Sequence, residues 1–440
     1  MFVLISILIA IENIIFFYLS FKRYKIINIT NFSLVFLFIM YCIVPVSYYY
    51  GFLDIHKMYK VSFSDEQVAN LHIIANLLIF IFYTIFFMGY FIKKKFYIEI
   101  KDTMTHCDLK SFTVSIFVFS LISFIIYVYI YGGLDYILEN ISHIRSGKDE
   151  NKSYLGSFAR MFTEYLFIVV MVLFYYTIRP EKLSGMKTKS IKALQILFYI
   201  LLVVLLMKKF IDGGRGGLLT VFVSLFIMYN LVYKRIRWKY LLTISFFSFM
   251  IIFYGKTVLF QLFTDDFQNI EVEHTDYIEK FLLEFSYPYI SLLNAIYIDL
   301  SMDRLFMDFY IWMFKLLKIY NIEGIDSISY YNTYHLVGVW TSSIPPGIVG
   351  LLFLEGGVLF IPFGAFFLGI VFAKLDYLVY HLSNSNNPLL LAISVLFITK
   401  FLKVMGNADI ALVIQSMLVY ILLVLYMYFV GYIRIIKIKI

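Results

Sequence analysis

The chain has 440 residues, of which 62% are hydrophobic, 20% are aromatic and only 15% are charged. A soluble domain has about 45–50% apolar and about 25% charged residues, so the composition excludes a soluble globular protein and a disordered chain. The formal net charge of +8 would fit a nucleic-acid partner only if the basic residues formed one exposed patch. They lie between long apolar runs, as in a membrane protein with charged loops. We therefore expect no nucleic-acid partner.

The hydrophobic residues are grouped into segments of membrane-spanning length. A helix needs about 20 apolar residues to cross the bilayer core. Eleven segments meet this need: residues 2–20, 32–51, 68–92, 112–131, 158–178, 193–211, 217–233, 240–259, 347–372, 388–405 and 410–430. They predict an all-α polytopic membrane protein with about eleven transmembrane helices. Residues 285–300 are the alternative extra span, but Pro288, Asn294 and Asp299 argue against it.

Lysine and arginine residues are distributed unequally between the loops on the two sides of these spans. More than half of them follow spans 1, 3, 5, 7 and 9 or lie at the C-terminus, and few lie in the opposite short loops. The positive-inside rule then places the N-terminus outside and the C-terminus in the cytoplasm.

This topology divides the chain into three parts. Residues 1–259 hold spans 1–8 with outer loops at 132–157 and 208–217, and residues 347–440 hold spans 9–11. Residues 260–346 form a large outer loop, in which mixed apolar and charged segments predict amphipathic helices at the membrane interface.

The most distinctive motif is Lys-Lys-Phe-Ile-Asp-Gly-Gly-Arg-Gly-Gly at residues 208–217. Glycines allow a tight turn and let backbone N–H groups approach an anion. An arginine can bind a phosphate through two hydrogen bonds. The candidate anion ligands are Lys208, Lys209, Gly214, Arg215 and Gly216. The alternative is a tight hairpin whose cations are solvated or bound to lipid headgroups.

Two further outer segments carry candidate functional residues. Gly132 and Gly133 end span 4, and Arg145 follows; the alternative is a capped helix end before a surface helix. His335 precedes span 9, and a neutral histidine can accept a proton near pH 7. The alternative is a surface or packing role.

Charges within spans are costly and should face a cavity or a partner. Glu355 lies in span 9, and Lys400 and Lys403 share one face of span 10. They form a structural ion pair or line a wet cleft that holds an anionic headgroup. Other ionisable residues within spans are Glu12, Arg160, Glu164 and Lys256. No segment has convincing metal-ligand spacing, so we expect no metal.

With these residues in place, the sequence resembles the Wzy family of O-antigen or oligosaccharide repeat-unit polymerases. The resemblance covers most of the chain in layout, because the chain has about eleven spans in total and a large outer loop before the last few of them. Residues 213–217 are similar to the short G-x-R-G signature of the family. Less specific similarities are Gly132-Gly133-Leu134 with Arg145, and Thr341-Ser342-Ser343 with Pro345-Pro346-Gly347.

The resemblance implies a GT-C-like glycosyltransferase in the bacterial inner membrane, with its active site facing the periplasm. The donor would be a growing glycan on undecaprenyl pyrophosphate, and the acceptor would be one lipid-linked repeat unit. No cofactor, nucleotide sugar or metal is expected. Besides the bilayer, the implied partners are a chain-length regulator and a flippase.

The resemblance also assigns roles to the candidate residues. Arg215 and Lys209, with Lys208, Arg145 and Lys403, would bind or stabilise the pyrophosphate, and His335, or next Glu355, would act as the base. Two alternatives remain. One is the related O-antigen ligase, which has a similar layout. The other is a flippase or transporter, which should have at least twelve spans and short loops.

Overall fold

The computed structural model describes residues 1–24, 28–57, 59–60, 65–92, 97–102, 104–140, 144, 154–183, 188–233, 277–301, 304, 307, 328–338, 344–383, 387–408 and 410–439. Three predicted features lie outside this description: residue Arg145, span 240–259, and most of the large outer loop. The side chains of Arg215 and Lys403 also lie outside it, although their backbone is described as helical.

Helices dominate the described chain. In chain order they are α1 Phe2–Tyr24, α2 Ile29–Phe38, α3 Val44–Tyr49, α4 Asp65–Phe91, α5 His106–Ile130, α6 Leu134–Glu139, α7 Tyr154–Phe162, α8 Tyr165–Ile178, α9 Thr188–Tyr233, α10 Tyr277–Glu284, α11 Tyr287–Tyr297, α12 Ile328–Val337, α13 Gly347–Ser383, α14 Pro388–Asn407 and α15 Ile410–Phe429. A π-helical turn at Ile39–Ile43 joins α2 to α3. Strands β1 Tyr97–Asp102 and β2 Ile433–Lys439 complete the fold.

Eight helical segments among the described residues are long and apolar enough to cross a membrane. They are Phe2–Tyr24, Ile29–Tyr49, Ala69–Phe91, Asp108–Ile130, Leu155–Ile178, Lys189–Asp212, Gly216–Tyr233 and Gly347–His381. Pro388–Leu402 and Ser416–Phe429 are shorter apolar helices. Each predicted span that falls on described residues coincides with one of these segments. The chain is therefore a mainly helical multi-pass membrane protein, whose total number of spans and sidedness stay predictions.

A buried carboxylate accepts hydrogen bonds from two helix ends at one end of the helical body. Asp376, near the end of α13, accepts hydrogen bonds from the Thr30 hydroxyl (2.5 Å) and the Tyr90 hydroxyl (2.8 Å). Ser20, near the end of α1, contacts the same Tyr90 hydroxyl at 3.1 Å. The ends of α1, α4 and α13 and the start of α2 therefore meet here. We call this the Asp376 end.

The two strands pair close to the Asp376 end. β1 follows α4, and it pairs antiparallel with the C-terminal β2 from Tyr97 opposite Lys439 to Asp102 opposite Ile433. The predicted alternation also places the segment after span 3 and the C-terminus on one side. The ribbon is an addition to the all-α body that hydropathy predicts.

Glycines bring α4 and α13 into close backbone contact. A Cβ atom added to Gly89 would overlap the Phe366 carbonyl, and one added to Gly369 would overlap the Phe86 carbonyl. Small residues at helix crossings allow such close packing in membrane proteins.

The described part of the large outer loop packs against the helical body. α11 has 11 residues, so it is about 16 Å long and too short to cross a core of about 30 Å. Pro288 lies in its first turn, where a missing N–H group costs no helical hydrogen bond. The interfacial position predicted for this segment stays a prediction. Tyr289, Ile290 and Leu292 are fully buried, because α11 packs on α4 and α13.

Candidate functional site

Helix α9 folds back on itself at the glycine-rich motif. In its first half, the Phe198 ring lies 5.6 Å from the Phe174 ring of α8. At its end, the Tyr233 hydroxyl donates to the Ile178 carbonyl, which ends α8. Lys208, between these points, contacts Glu164 just before α8. The first half of α9 therefore runs antiparallel to α8, and the second half runs parallel to it.

A close contact locates the reversal. A Cβ atom on Gly217 would overlap the carbonyl of Lys209. In a straight helix, residues eight positions apart lie about 12 Å from each other. The chain therefore turns back between these two residues, and Arg215 lies in the turn. The predicted hairpin is present, but the backbone through 208–217 has helical hydrogen bonding instead of the expected loop.

Three lysines converge on Glu164, which occupies the break between α7 and α8. The Lys209 Nζ atom lies 2.6 Å from both carboxylate oxygens, and the Lys208 Nζ atom lies 2.8 Å from Oε1. The Lys400 Nζ atom from α14 lies 3.5 Å from Oε2. The Tyr420 hydroxyl from α15 donates to Oε2 at 3.0 Å. As the residue before α8, Glu164 also lies at the positive end of that helix.

A second carboxylate extends the network. Asp212 accepts from the Lys208 Nζ atom at 2.7 Å and from the Arg160 Nε atom at 2.8 Å. Arg160 also donates to the Ile144 carbonyl at 3.2 Å. We call six residues the charge cluster: Arg160, Glu164, Lys208, Lys209, Asp212 and Lys400.

Positive charge exceeds negative charge in this cluster. Four cations share two carboxylates, and both Lys208 and Lys209 are about 95% buried, with exposed fractions of 5% and 4%. Lys400 has further contacts of its own. Without Lys400, three cations still share the two carboxylates. Because buried charge is costly unless it is compensated, such a site favours an additional anion.

The burial corrects the sequence interpretation of Lys208 and Lys209. The sequence alone predicted cations at the outer surface, solvated or gripping a ligand directly. In the structure both side chains are held inside the helical body by Glu164 and Asp212. They act as fixed charges beneath the hairpin turn.

The charge cluster lies at the end of the body opposite the Asp376 end. α14 begins beside Met104, just before α5, where the Asn387 amide contacts the Met104 sulfur at 3.6 Å. Toward its other end α14 carries Lys400, and a Cβ on Gly406 would lie 3.3 Å from the Tyr287 hydroxyl of α11. The cluster therefore shares its end with the helices of the large outer loop.

Arg304 connects the segments that carry the two predicted bases. Glu355 is 6% exposed and directly precedes a helix break at Gly356 and Gly357 in α13. The Leu354 carbonyl at this break accepts from the Arg304 backbone N–H at 3.1 Å.

The ring of Tyr331 lies between the Arg304 side chain and His335 and contacts both. Its guanidinium lies 5.1 Å from the Tyr331 ring centroid, and that ring lies 4.6 Å from the His335 ring. His335 is half-buried on α12. The segments of His335 and Glu355 are thus neighbours, as a shared site requires.

Several of these residues carried a weak signal in the sequence. Glu164 and Arg160 stand out as charges within a span, but the sequence does not show their partners. Asp212 lies inside the glycine-rich motif without an obvious role. Nothing singles out Tyr420 or Arg304. Among the described residues, no group of three or more His, Cys, Asp or Glu side chains could hold a metal ion.

Comparison with known proteins gives no match to a family model, to a curated protein or to a solved structure.

Proposed function

We propose that this protein is an O-antigen or oligosaccharide repeat-unit polymerase. It would transfer the growing glycan from undecaprenyl pyrophosphate onto a lipid-linked repeat unit at the periplasmic face of the bacterial inner membrane. The observation that carries the proposal is the charge cluster, in which Arg160, Lys208 and Lys209 share the carboxylates of Glu164 and Asp212 beneath a Gly-Gly-Arg-Gly-Gly turn.

The proposed chemistry needs positive charge where the leaving group forms. An acceptor hydroxyl attacks the anomeric carbon of the donor, the glycosidic bond to phosphate breaks, and undecaprenyl pyrophosphate leaves with the bonding electrons. Fixed charges that face the developing anion stabilise the transition state without reorganisation. Lys208 and Lys209 supply such charges, because Glu164 holds both ammonium groups in place.

Arg215 is the residue proposed to contact the phosphates directly. It follows Asp212 by three positions and lies in the turn above the buried lysines. A guanidinium can bind two phosphate oxygens at once, which a lysine cannot do. For the acceptor hydroxyl, His335 is the proposed base, with Glu355 as the second candidate.

Arginine substitutions test this assignment. In a deletion strain, the wild-type gene and the Lys192→Ala variant should restore the glycolipid ladder, since Lys192 is an exposed cation in the first turns of α9. Arg215→Ala should leave core plus one repeat, and Arg215→Lys should restore only short chains. Immunoblots of the membrane fraction check that each variant is inserted. A full ladder with Arg215→Ala would refute the site.

A further inference from the structure

An apolar groove lies on the membrane-facing side of α8, away from the charge cluster. Its cavity volume is about 190 Å³. Three helices line it: α8 through Val169, Val172, Leu173 and Tyr176, α5 through Leu109, Lys110, Thr113, Val114 and Phe117, and the first half of α9 through Leu194, Leu197 and Leu201. We call it the α5–α8–α9 groove.

The two walls of the groove carry exposed apolar side chains. Val114 on α5 is 53% exposed and Leu197 on α9 is 39% exposed, whereas Val172 on α8 is buried. The groove therefore has α8 as its floor and opens sideways toward the bilayer. Its volume is below the usual range of about 300–1,000 Å³ for pockets that enclose a whole small molecule. It suits a stretch of hydrocarbon chain.

The polar groups of the groove lie at one end. Lys110 is exposed in the first turns of α5, and Thr113 follows three residues later. The neighbouring Asp108 is not part of the groove lining. Its carboxylate turns back to the helix start and accepts from the Thr105 backbone and hydroxyl at 3.0 and 2.6 Å. One end of the groove is thus cationic, and the remainder is lined by apolar side chains.

This cationic end is remote from the proposed pyrophosphate site. Tyr176 lies in the last turn of α8, 12 residues after Glu164, which corresponds to about 18 Å along the helix. The start of α5 also follows β1, close to the Asp376 end. A headgroup bound at Lys110 would belong to the opposite leaflet from a ligand of the hairpin.

We propose that the α5–α8–α9 groove binds one hydrocarbon chain of an anionic phospholipid, with its phosphate at Lys110. The lipid comes from the leaflet on the Asp376 side, which the positive-inside rule makes cytoplasmic. The apolar lining takes the chain and the single cation selects the headgroup charge. The inference stands independently of the proposed enzymatic activity.

Native mass spectrometry of the purified full-length protein tests this site. The probes are dioleoyl phosphatidylglycerol and dioleoyl phosphatidylcholine, added at equal concentration to the detergent-solubilised protein. We expect wild type to retain about fivefold more phosphatidylglycerol, the selectivity expected from one lysine near an anionic headgroup. Equal retention of the two lipids would overturn the headgroup assignment.

Paired variants separate the groove from the rest of the lipid-facing surface. Leu197→Trp fills the groove and should reduce retention of both lipids at least fivefold, while Ile196→Trp, on an exposed neighbour outside the lining, should not. Lys110→Glu should abolish the preference for phosphatidylglycerol, and Lys192→Glu should keep it. If Leu197→Trp does not fold, Val114→Trp replaces it, since that side chain is more exposed.

Two further results would overturn the proposal. One is unchanged lipid retention in the folded tryptophan variant. The other comes from undecaprenyl phosphate added as a third probe: its preferential retention over phosphatidylglycerol would make the groove a polyprenyl site.

Discussion

At the scale of single residues, Glu164 is the centre of the candidate site. It joins cations from two places, α9 and α14, and accepts the Tyr420 hydroxyl of α15. Its carboxylate holds the lysine ammonium groups and compensates part of their charge. In the proposed mechanism Glu164 is a positioning residue, and Arg215 is the residue proposed to contact the ligand.

Replacing Glu164 by Gln should destabilise the protein strongly. The amide keeps the size of the side chain but removes the negative charge, and breaking a buried ion pair in this way costs about 3–5 kcal/mol. The matched control is Glu181→Gln. Glu181 is 66% exposed and lies 3.8 Å from Arg179, and exposed pairs contribute about 0–1 kcal/mol.

Thermal unfolding of the two purified variants in detergent measures this difference. The melting temperature should fall markedly for Glu164→Gln and stay near the wild-type value for Glu181→Gln. Equal melting temperatures for both variants would show that the cluster does not depend on the Glu164 charge.

His335 can be tested against a histidine in the same local setting. His335 contacts the rings of Tyr331 and Tyr334, and His381 contacts the rings of Tyr377 and Tyr380 at the same sequence spacing. His335→Ala should shorten the glycan chains strongly, because the proposed base is lost, whereas His381→Ala should leave the ladder unchanged. The readout is the glycolipid gel. Similar ladders from both variants would transfer the role of base to Glu355.

The sequence predicts these residues only in part. A charge in an apolar segment can be identified without a structure, which applies to Glu164, Arg160 and Lys400. Their partners cannot be predicted, because Glu164 and Lys400 are 236 positions apart and meet only through helix packing. The sequence offered Glu355 as the partner of Lys400 or Lys403, and the additional contact of Lys400 with Glu164 could not be predicted for the same reason.

At the scale of elements, the hairpin in α9 is the feature that forms the candidate site. The glycines after Asp212 allow the two halves to lie against α8 in opposite directions. The sequence predicts this reversal, since glycine permits backbone approach that other residues do not. It does not predict that helical hydrogen bonding continues into the turn and that Lys208 and Lys209 are buried.

Two adjacent glycines should respond differently to alanine. Gly217→Ala places a Cβ atom against the Lys209 carbonyl, so the hairpin must open and the cluster must lose its geometry. Gly216→Ala meets no atom within 4 Å. We expect Gly217→Ala to lower the amount of folded protein several-fold and Gly216→Ala to leave it near wild type. Fluorescence-detected size-exclusion chromatography measures both.

The outcome for Gly216→Ala is a second check on the same element. Normal amounts of protein for both variants would show that close contact at Gly217 is not required. Loss of both would show that the effect is a general sensitivity of the motif to alanine.

At the scale of the whole molecule, hydropathy accounts for most of the architecture. A bilayer requires about 20 apolar residues per span, so the spans can be identified from composition alone. The pairing of β1 with β2 could not be predicted, because both strands are short and Asp102 and Ile433, which pair in the ribbon, are 331 positions apart. Likewise, the sequence does not show that α11 is buried, because its burial depends on packing against α4 and α13, which are distant in sequence.

The helices place different groups of segments at the two ends of the body. The Asp376 end collects the ends of α1, α4 and α13 together with the ribbon. The opposite end collects the hairpin of α9 and the helices of the large outer loop. In the proposed function, the lipid-linked pyrophosphate would meet the hairpin at this second end, which the proposed topology makes periplasmic.

The glycolipid profile of a strain that lacks this gene tests the central proposal most directly. Lipopolysaccharide from the deletion strain, separated on a gel, should collapse to core plus a single repeat, and a plasmid copy of the gene should restore the ladder. A ladder that persists in the deletion strain would contradict the polymerase assignment. Bare core without any repeat would contradict it as well, and would indicate a ligase or an earlier step.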